Sequence, residues 1–291
     1  DVPSRFSLYQ QSVQSPKGDI SYLLKFFLMY VGGRIPLHLQ EDFCGTALLS
    51  TAWLHGDARR TAVGIDLDIE ALNWSISNNV NRIGAGIESR ISLFQGNVLQ
   101  PFESKLITGD PPKYLKDIEL PARDIVCAFN YSCCCLHSRK ELVLYLKNAL
   151  SSLNKKGGIF VMDLYGGTSS EGPLKLQRKF AGFTYTWEQA EFDAIKRKTR
   201  ISLHFNLLHK HKGKKLMHAF SYTWRLWSLP EVKDCLEEAG FSCVHFWMCK
   251  MPDSERIRCT DGLSTGRDVK FEETTSFPQQ DSWNAYIVGV A

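Results

Sequence analysis

Glu41 to Ala47 lie between a short apolar run at 35–39 and a helix-like run at 47–54, and Asp66 ends the next apolar run about twenty residues on, the spacing of a nucleotide-handling βαβ unit. This fixes a strand, a sharp turn at Gly45 and a helix that leaves over a sheet. Gly45 lets the backbone approach a ligand, and a carboxylate at the tip of the following strand can accept both hydroxyls of a ribose. The glycines decide which nucleotide. A pyrophosphate on the helix N-terminus needs glycine at three places, whereas Phe43 and Ala47 occupy the flanking positions here. A phosphate-free adenosine compound is expected.

Further strand-end motifs follow in order: Val63 to Asp66, Phe94 to Val98, Asp124 to Asn130, and Gly157 to Asp163. With Glu41 to Ala47 they resemble the successive motifs of class I S-adenosylmethionine-dependent methyltransferases across residues 37–165, and 244–248 with 285–290 are similar to that family's closing strand pair. The resemblance implies an α/β, Rossmann-like, doubly wound and mostly parallel seven-stranded sheet with a C-terminal antiparallel pair, and S-adenosyl-L-methionine as cofactor. It assigns the cofactor to Glu41, Cys44 and Gly45 in the first turn, Asp66 and Leu67 at the second strand tip, Asn97 and Val98 at the third, and Asn130 at the fourth.

The alternation of apolar runs at 61–65, 91–94, 125–129 and 159–162 with helical periodicity independently argues a parallel sheet covered on both faces. Such sheets bind ligands at the carboxyl ends of their strands. Residues 1–34 read as a polar N-terminal lid and a packing helix, capped by Asp19 and ended by Gly32 and Gly33. Residues 35–167 form the cofactor core. Within 168–228, the stretches 183–192, 199–208 and 216–227 are aromatic and β-branched, which predicts a three-stranded antiparallel insertion roofing the site. Residues 229–291 supply a helix opened by Pro230 and closed by Gly240, then the closing strands. The connection 251–282 is long enough to be an active-site loop or a decoration.

At 291 residues, 44% hydrophobic and 23% charged, the chain suits one α/β domain with an insertion, not a membrane protein or a disordered one. The net charge of +4 is concentrated at 196–200 and 209–215. A basic run around a glycine between two strands reads as the solvated tip of a hairpin, with nucleic-acid docking the alternative. Nine cysteines without paired spacing suit a reducing compartment, either cytoplasmic or, given a start at Asp1 that allows a trimmed transit segment, an organelle such as a plastid.

Methyl transfer from a sulfonium is an in-line displacement that needs orientation, exclusion of water and an unprotonated nucleophile, but no metal. Tyr131, Asp163 and Tyr165 stand at strand ends and are the catalytic candidates, with Trp187 and Trp224 of the insertion as substrate walls. Core packing is the commoner role of any one such strand aromatic. Glu188, His137, His204 and His218 are further candidate bases. Cys133 to Cys135 lack the setting of a nucleophile or a zinc site. Asn130 and Tyr131 lack the prolines of the base-methylating signature, so nucleic acid is not the expected partner. The first reading is methyl transfer to a small-molecule N or O nucleophile. The alternatives are an RNA or protein methyltransferase docking through 196–215, and a non-catalytic cofactor-binding protein.

Overall fold

The computed structural model describes residues 2–84, 86–108, 111–211, 213–251 and 270–291. Strands β1 (His38–Asp42), β2 (Thr61–Asp66), β3 (Ile91–Gln95), β4 (Lys105–Leu106), β5 (Ile125–Ala128) and β6 (Ile159–Gly166) come first. The insertion is β7 (Leu174–Lys179), β8 (Phe183–Gln189), β9 (Lys198–Leu207) and β10 (Lys215–Arg225). β11 (Cys243–Lys250), β12 (Glu272–Glu273) and β13 (Trp283–Val290) close the chain. The helices are α1 (Arg5–Val13), α2 (Pro16–Tyr30), α3 (Leu48–Leu54), α4 (Ile69–Asn78), α5 (Arg139–Ser152) and α6 (Leu229–Ala239).

The main sheet has the order β12-β11-β13-β6-β5-β1-β2-β3-β4. β1 runs parallel to β2 and β5, β2 to β3, and β5 to β6, while β13 is antiparallel to both β6 and β11. This is the expected doubly wound sheet with its closing pair, extended by two-residue edge strands at β4 and β12. Strand order reverses at β1, so the ligand crevice opens at the carboxyl ends of β1 and β5. Leu23, Phe26 and Phe27 of α2 pack with Trp53 of α3 on one face; Leu142 and Leu146 of α5 pack with Val232 and Leu236 of α6 on the other. Burial on both faces is why β5 is buried at every position. Reciprocal Ser–Glu caps open α5 and α6, and Gly240, at φ +109°, ends α6 as read.

Four readings need correction. The first strand runs from His38 to Asp42 instead of 35–39, because Asp124 takes the Leu37 and His38 N–H groups (2.7 and 3.0 Å) and holds the chain before the strand begins. Its polar end is affordable since Asp42 accepts from Gln40 and from the Tyr145 hydroxyl (2.9 and 3.0 Å). Asp19 does not cap α2; Ser15 precedes it, Pro16 opens it, and Asp19 accepts the Tyr286 hydroxyl from inside the first turn. The stretch before Pro16 is a helix, α1. The insertion has four strands, in the order β10-β9-β8-β7, because Leu174 and Leu176 alternate with Lys175, Gln177 and Lys179 to make an edge strand with one wet face. Of the connection 251–282, residues 252–269 lie outside the described residues, as does Lys212 of the basic run.

Candidate active site at the strand tips

The first turn keeps a left-handed backbone at alternate positions, Phe43 (φ +56°), Gly45 (+51°) and Ala47 (+50°). The chain therefore departs from a three-glycine turn in side chains but not in conformation, at about 1–2 kcal/mol for each L-residue. Phe43 lies edge-on to Tyr145 at 5.6 Å and Ala47 is fully buried, contacts that offset the strain. A side chain built at Gly45 would meet nothing within 4 Å. The space over the turn is open to a ligand.

Glu41 is buried, and its Oε2 accepts from the Ser50 N–H and hydroxyl (2.9 and 2.5 Å), so it is no surface acid but the tie between β1 and α3. That helix needs it, since Ala47 at its N-cap provides no side-chain bond. Burial pushes the Glu41 carboxyl up to about 8. Asp66 accepts from Gly45 N–H and Asp68 N–H (2.7 and 2.8 Å), locking the glycine turn to the tip of β2. The cap of α4 is Asp68, which removes the helix-cap explanation of Asp66. Beside it Leu67 is 66% exposed. Cys44 turns its thiol inward against Gly64, so only its backbone borders the opening. Asn97 forms the turn after β3, accepting Leu99 N–H (2.9 Å), and Val98 is buried in the core.

At the neighbouring tips Asn130 and Tyr131 are both left-handed (φ +58° and +59°), held by Asp163, whose two carboxylate oxygens accept their N–H groups at 2.9 and 2.7 Å. Burial raises the Asp163 carboxyl to about 8 against these bonds. Tyr131 meets Tyr165 at 4.8 Å between ring centres and Trp224 edge-on at 5.9 Å; Tyr165 meets Trp187 edge-on at 5.8 Å. The structure thus brings together all five of these sequence candidates. Trp224 is buried, whereas Tyr131, Tyr165 and Trp187 are half-buried and can face a ligand.

The other candidate bases are elsewhere. Glu188 alternates with Trp187 onto the opposite side of the insertion, where it pairs with Lys175 (3.0 Å) and lies 3.4 Å from His204. His204 accepts the His218 N–H through Nδ1 (2.9 Å), and burial lowers its proton affinity. The His137 ring bonds the Thr223 carbonyl (2.7 Å). Two concavities of about 360 and 860 Å³ on this outer side contain none of the strand-tip carboxylates. Among the described residues no cluster of His, Cys, Asp or Glu could hold a metal, and Cys133 and Cys134 are buried.

Six residues of the cleft are not assigned to it by the sequence. α1 lies across it: Phe6 packs on Trp74 and Phe220 (5.7 and 5.9 Å), Tyr9 on Phe220 (5.0 Å), and Gln10 donates to the Thr46 hydroxyl (2.8 Å). Burial, then Tyr222, Tyr185, Asp163 and Asp66, raise the proton affinity of Tyr9. Phe6, Tyr9 and Val13 at helical spacing were the available signal. Asp19, raised to about 6 by burial, adds its charge to Glu41 and Asp163. Gln189 and Asn284 hold the two tyrosine hydroxyls, and nothing local in sequence marks them.

No protein-family profile and no curated protein matches the chain. Solved structures match over nearly its full length. Streptomyces venezuelae DesVI is 13% identical with TM-score 0.62, covering 98% of this chain and 95% of that one. An S-adenosylmethionine-dependent methyltransferase from Clostridium acetobutylicum ATCC 824 is 12% identical, TM-score 0.61, covering 97% and 96%. CalS10, an amino pentose methyltransferase from Micromonospora echinaspora with S-adenosylmethionine bound, is 12% identical, TM-score 0.58, covering 96% and 94%. The chain has the fold of S-adenosylmethionine-dependent methyltransferases.

Proposed function

We propose that this chain is an S-adenosylmethionine-dependent methyltransferase acting on an N or O nucleophile of a small molecule. The observation that carries the reading is Asp66: a carboxylate bonded to the glycine turn, at a strand tip, beneath open space and beside the exposed Leu67. Those features fit an adenosine, with ribose hydroxyls on Asp66 and the adenine face on Leu67. Asn97 and the backbone at Val98 would border the adenine edge, and Glu41, the Cys44–Gly45 backbone and Asn130 the amino-acid end. Bound there, the cofactor supplies a methyl group on a cationic sulfur.

The remaining work falls to the chain's own groups. Asp163 fixes Tyr131 at the end of β5 and, in its ionised form, can take the proton that a methylated nitrogen releases, its raised proton affinity suiting that role. Tyr131, Tyr165, Trp187 and Trp224 orient the acceptor and exclude water, and their π faces suit a cation. The aromatic side chains of β8 and the carboxylates share one cleft, while 196–200 runs from a hairpin turn, where Ile195 is 96% exposed, into the start of β9. This supports a small molecule over docking through 196–215. Six of the eight described cysteines are buried and all eight are free, which supports a reducing compartment, cytoplasmic or plastid-like. No described helix is long and apolar enough to cross a membrane.

Calorimetry tests the reading. Wild type should bind S-adenosylmethionine, and Asp66→Ala should weaken it by about 1.5–3 kcal/mol, the scale of a charged hydrogen bond. A preference of the wild type for a pyrophosphate dinucleotide, or unchanged affinity in the folded variant, defeats it.

A further inference from the structure

The hydroxyls of Tyr165 and Tyr131 have their protons already assigned. Gln189 is 2% exposed and its Nε2 donates to three carbonyls, of Ser169 (3.3 Å), Ser170 (3.0 Å) and Gly172 (2.6 Å). An amide oxygen could not sit there. Oε1 must therefore face Tyr165, and the Tyr165 hydroxyl must donate to it (3.2 Å). The same logic holds on β13: the Asn284 Nδ2 faces the Met251 sulfur (3.4 Å), which has no proton to give, so Oδ1 accepts from the Tyr131 hydroxyl (2.9 Å).

A phenol has one proton. With both committed to amides, the two contacting tyrosines present only lone pairs and π faces to anything else. A group meeting this corner has to donate. An alcohol offers one proton and a phenolate none, whereas a primary amine offers two and still keeps a lone pair for the methyl carbon. Leaving one of the acceptors unmatched penalises the hydroxyl analogue strongly.

We propose that Gln189 and Asn284 are positioning residues that fix the hydroxyl protons of Tyr165 and Tyr131, and that the methyl acceptor is thereby restricted to a primary amine. The proposal rests on the methyltransferase reading and names its substrate class. The nitrogen lone pair forms the N–C bond, the electron pair of the broken S–C bond stays on the departing sulfur, and the ammonium proton passes to Asp163 or water. A product with one remaining N–H satisfies one acceptor only, so a single methylation should dominate.

The experiment uses the full chain and two readouts. Binding of a mixed panel of primary amines and skeleton-matched alcohols is followed by calorimetry, beside S-adenosylmethionine binding in the same preparation. The atom that takes a labelled methyl is then identified by mass spectrometry. Wild type should favour amines at least tenfold and place the label on nitrogen. Asn284→Asp, which keeps an acceptor for Tyr131, should preserve the preference; Asn284→Leu should lose most of it with cofactor affinity unchanged, and Gln189→Leu repeats the test at Tyr165. Label on oxygen, amine preference below threefold, no amine bound by a cofactor-binding wild type, or an undiminished preference in a folded Asn284→Leu protein overturns the proposal. Failure to bind the cofactor at all would instead count against the methyltransferase reading.

Discussion

Buried carboxyls dominate the strand tips, and their proton affinities make stability depend on pH in a stated direction. Glu41 rises from 4.5 to about 8 and Asp163 from 3.8 to about 8, both chiefly through burial. The folded state therefore holds more protons than the unfolded chain between those limits. Stability is fully present at the acid end and falls as pH rises toward 8, by up to about 1.4 kcal/mol per pH unit for each carboxyl. Glu41→Gln keeps an oxygen for Ser50 and removes one of these titrations. Urea unfolding of the cofactor-free protein at pH 5, 6, 7 and 8 should show a flatter profile for the variant; parallel profiles would mean that Glu41 does not carry the slope. Such residues were legible in sequence because each follows an apolar run, although only Asp66 ends its strand, Glu41 lying within β1 and Asp163 within β6. Partners were not: Ser50 and Asn284 meet theirs only through the fold, and Glu188 beside Trp187 faces away because strand neighbours alternate.

Among the elements, those with strong periodicity were readable. The parallel strands and α6 lie close to their apolar runs, and Pro230 and Gly240 mark the helix ends by backbone chemistry alone. α1 and β7 were not read, for related reasons. Each is short and covers only one narrow stripe; β7 is an edge strand paired with β8 alone, and α1 is held by elements distant in sequence. A nine-residue helix cannot persist by itself. α1 stays because Phe6 and Tyr9 pack on Phe220, Arg178 bonds the Ser12 carbonyl (2.9 Å), and Arg5 pairs with Glu70 (2.7 Å). Removing the Phe6 ring should cost on the order of 3 kcal/mol of docking. In Phe6→Ala, hydrogen exchange should accelerate across α1 while β1, β5 and β6 stay protected. Cofactor affinity should fall with it, because Gln10 no longer reaches Thr46 beside the glycine turn. Unchanged exchange in α1 would show that the surrounding polar bonds hold the helix without the ring.

For the molecule as a whole, the two sheets invite a description as core plus appendage, and their packing argues otherwise. Leu8 of α1, Met162 of β6, Tyr145 of α5, and Phe183, Tyr185, Ile201, Leu203 and Trp224 of the insertion belong to one continuous buried cluster. Among the described residues this cluster is what covers the inner face of the insertion, so that face cannot remain folded once the strand tips beneath it open. Its sequence hinted at this through aromatics too numerous for a four-stranded sheet exposed on both faces, but the joint itself depends on Trp224 meeting Tyr131 and Tyr165 and on α1 meeting Phe220. Thermal unfolding followed by far-ultraviolet and by tryptophan signals should give coincident single transitions. Trp224→Ala, which removes a 4%-exposed ring at the joint, should lower stability by about 3–5 kcal/mol and shift both signals together. Should the variant unfold in two separated steps with the main sheet at its wild-type midpoint, the insertion would be an independent unit, and the cleft would owe its geometry to the main sheet and α1 alone.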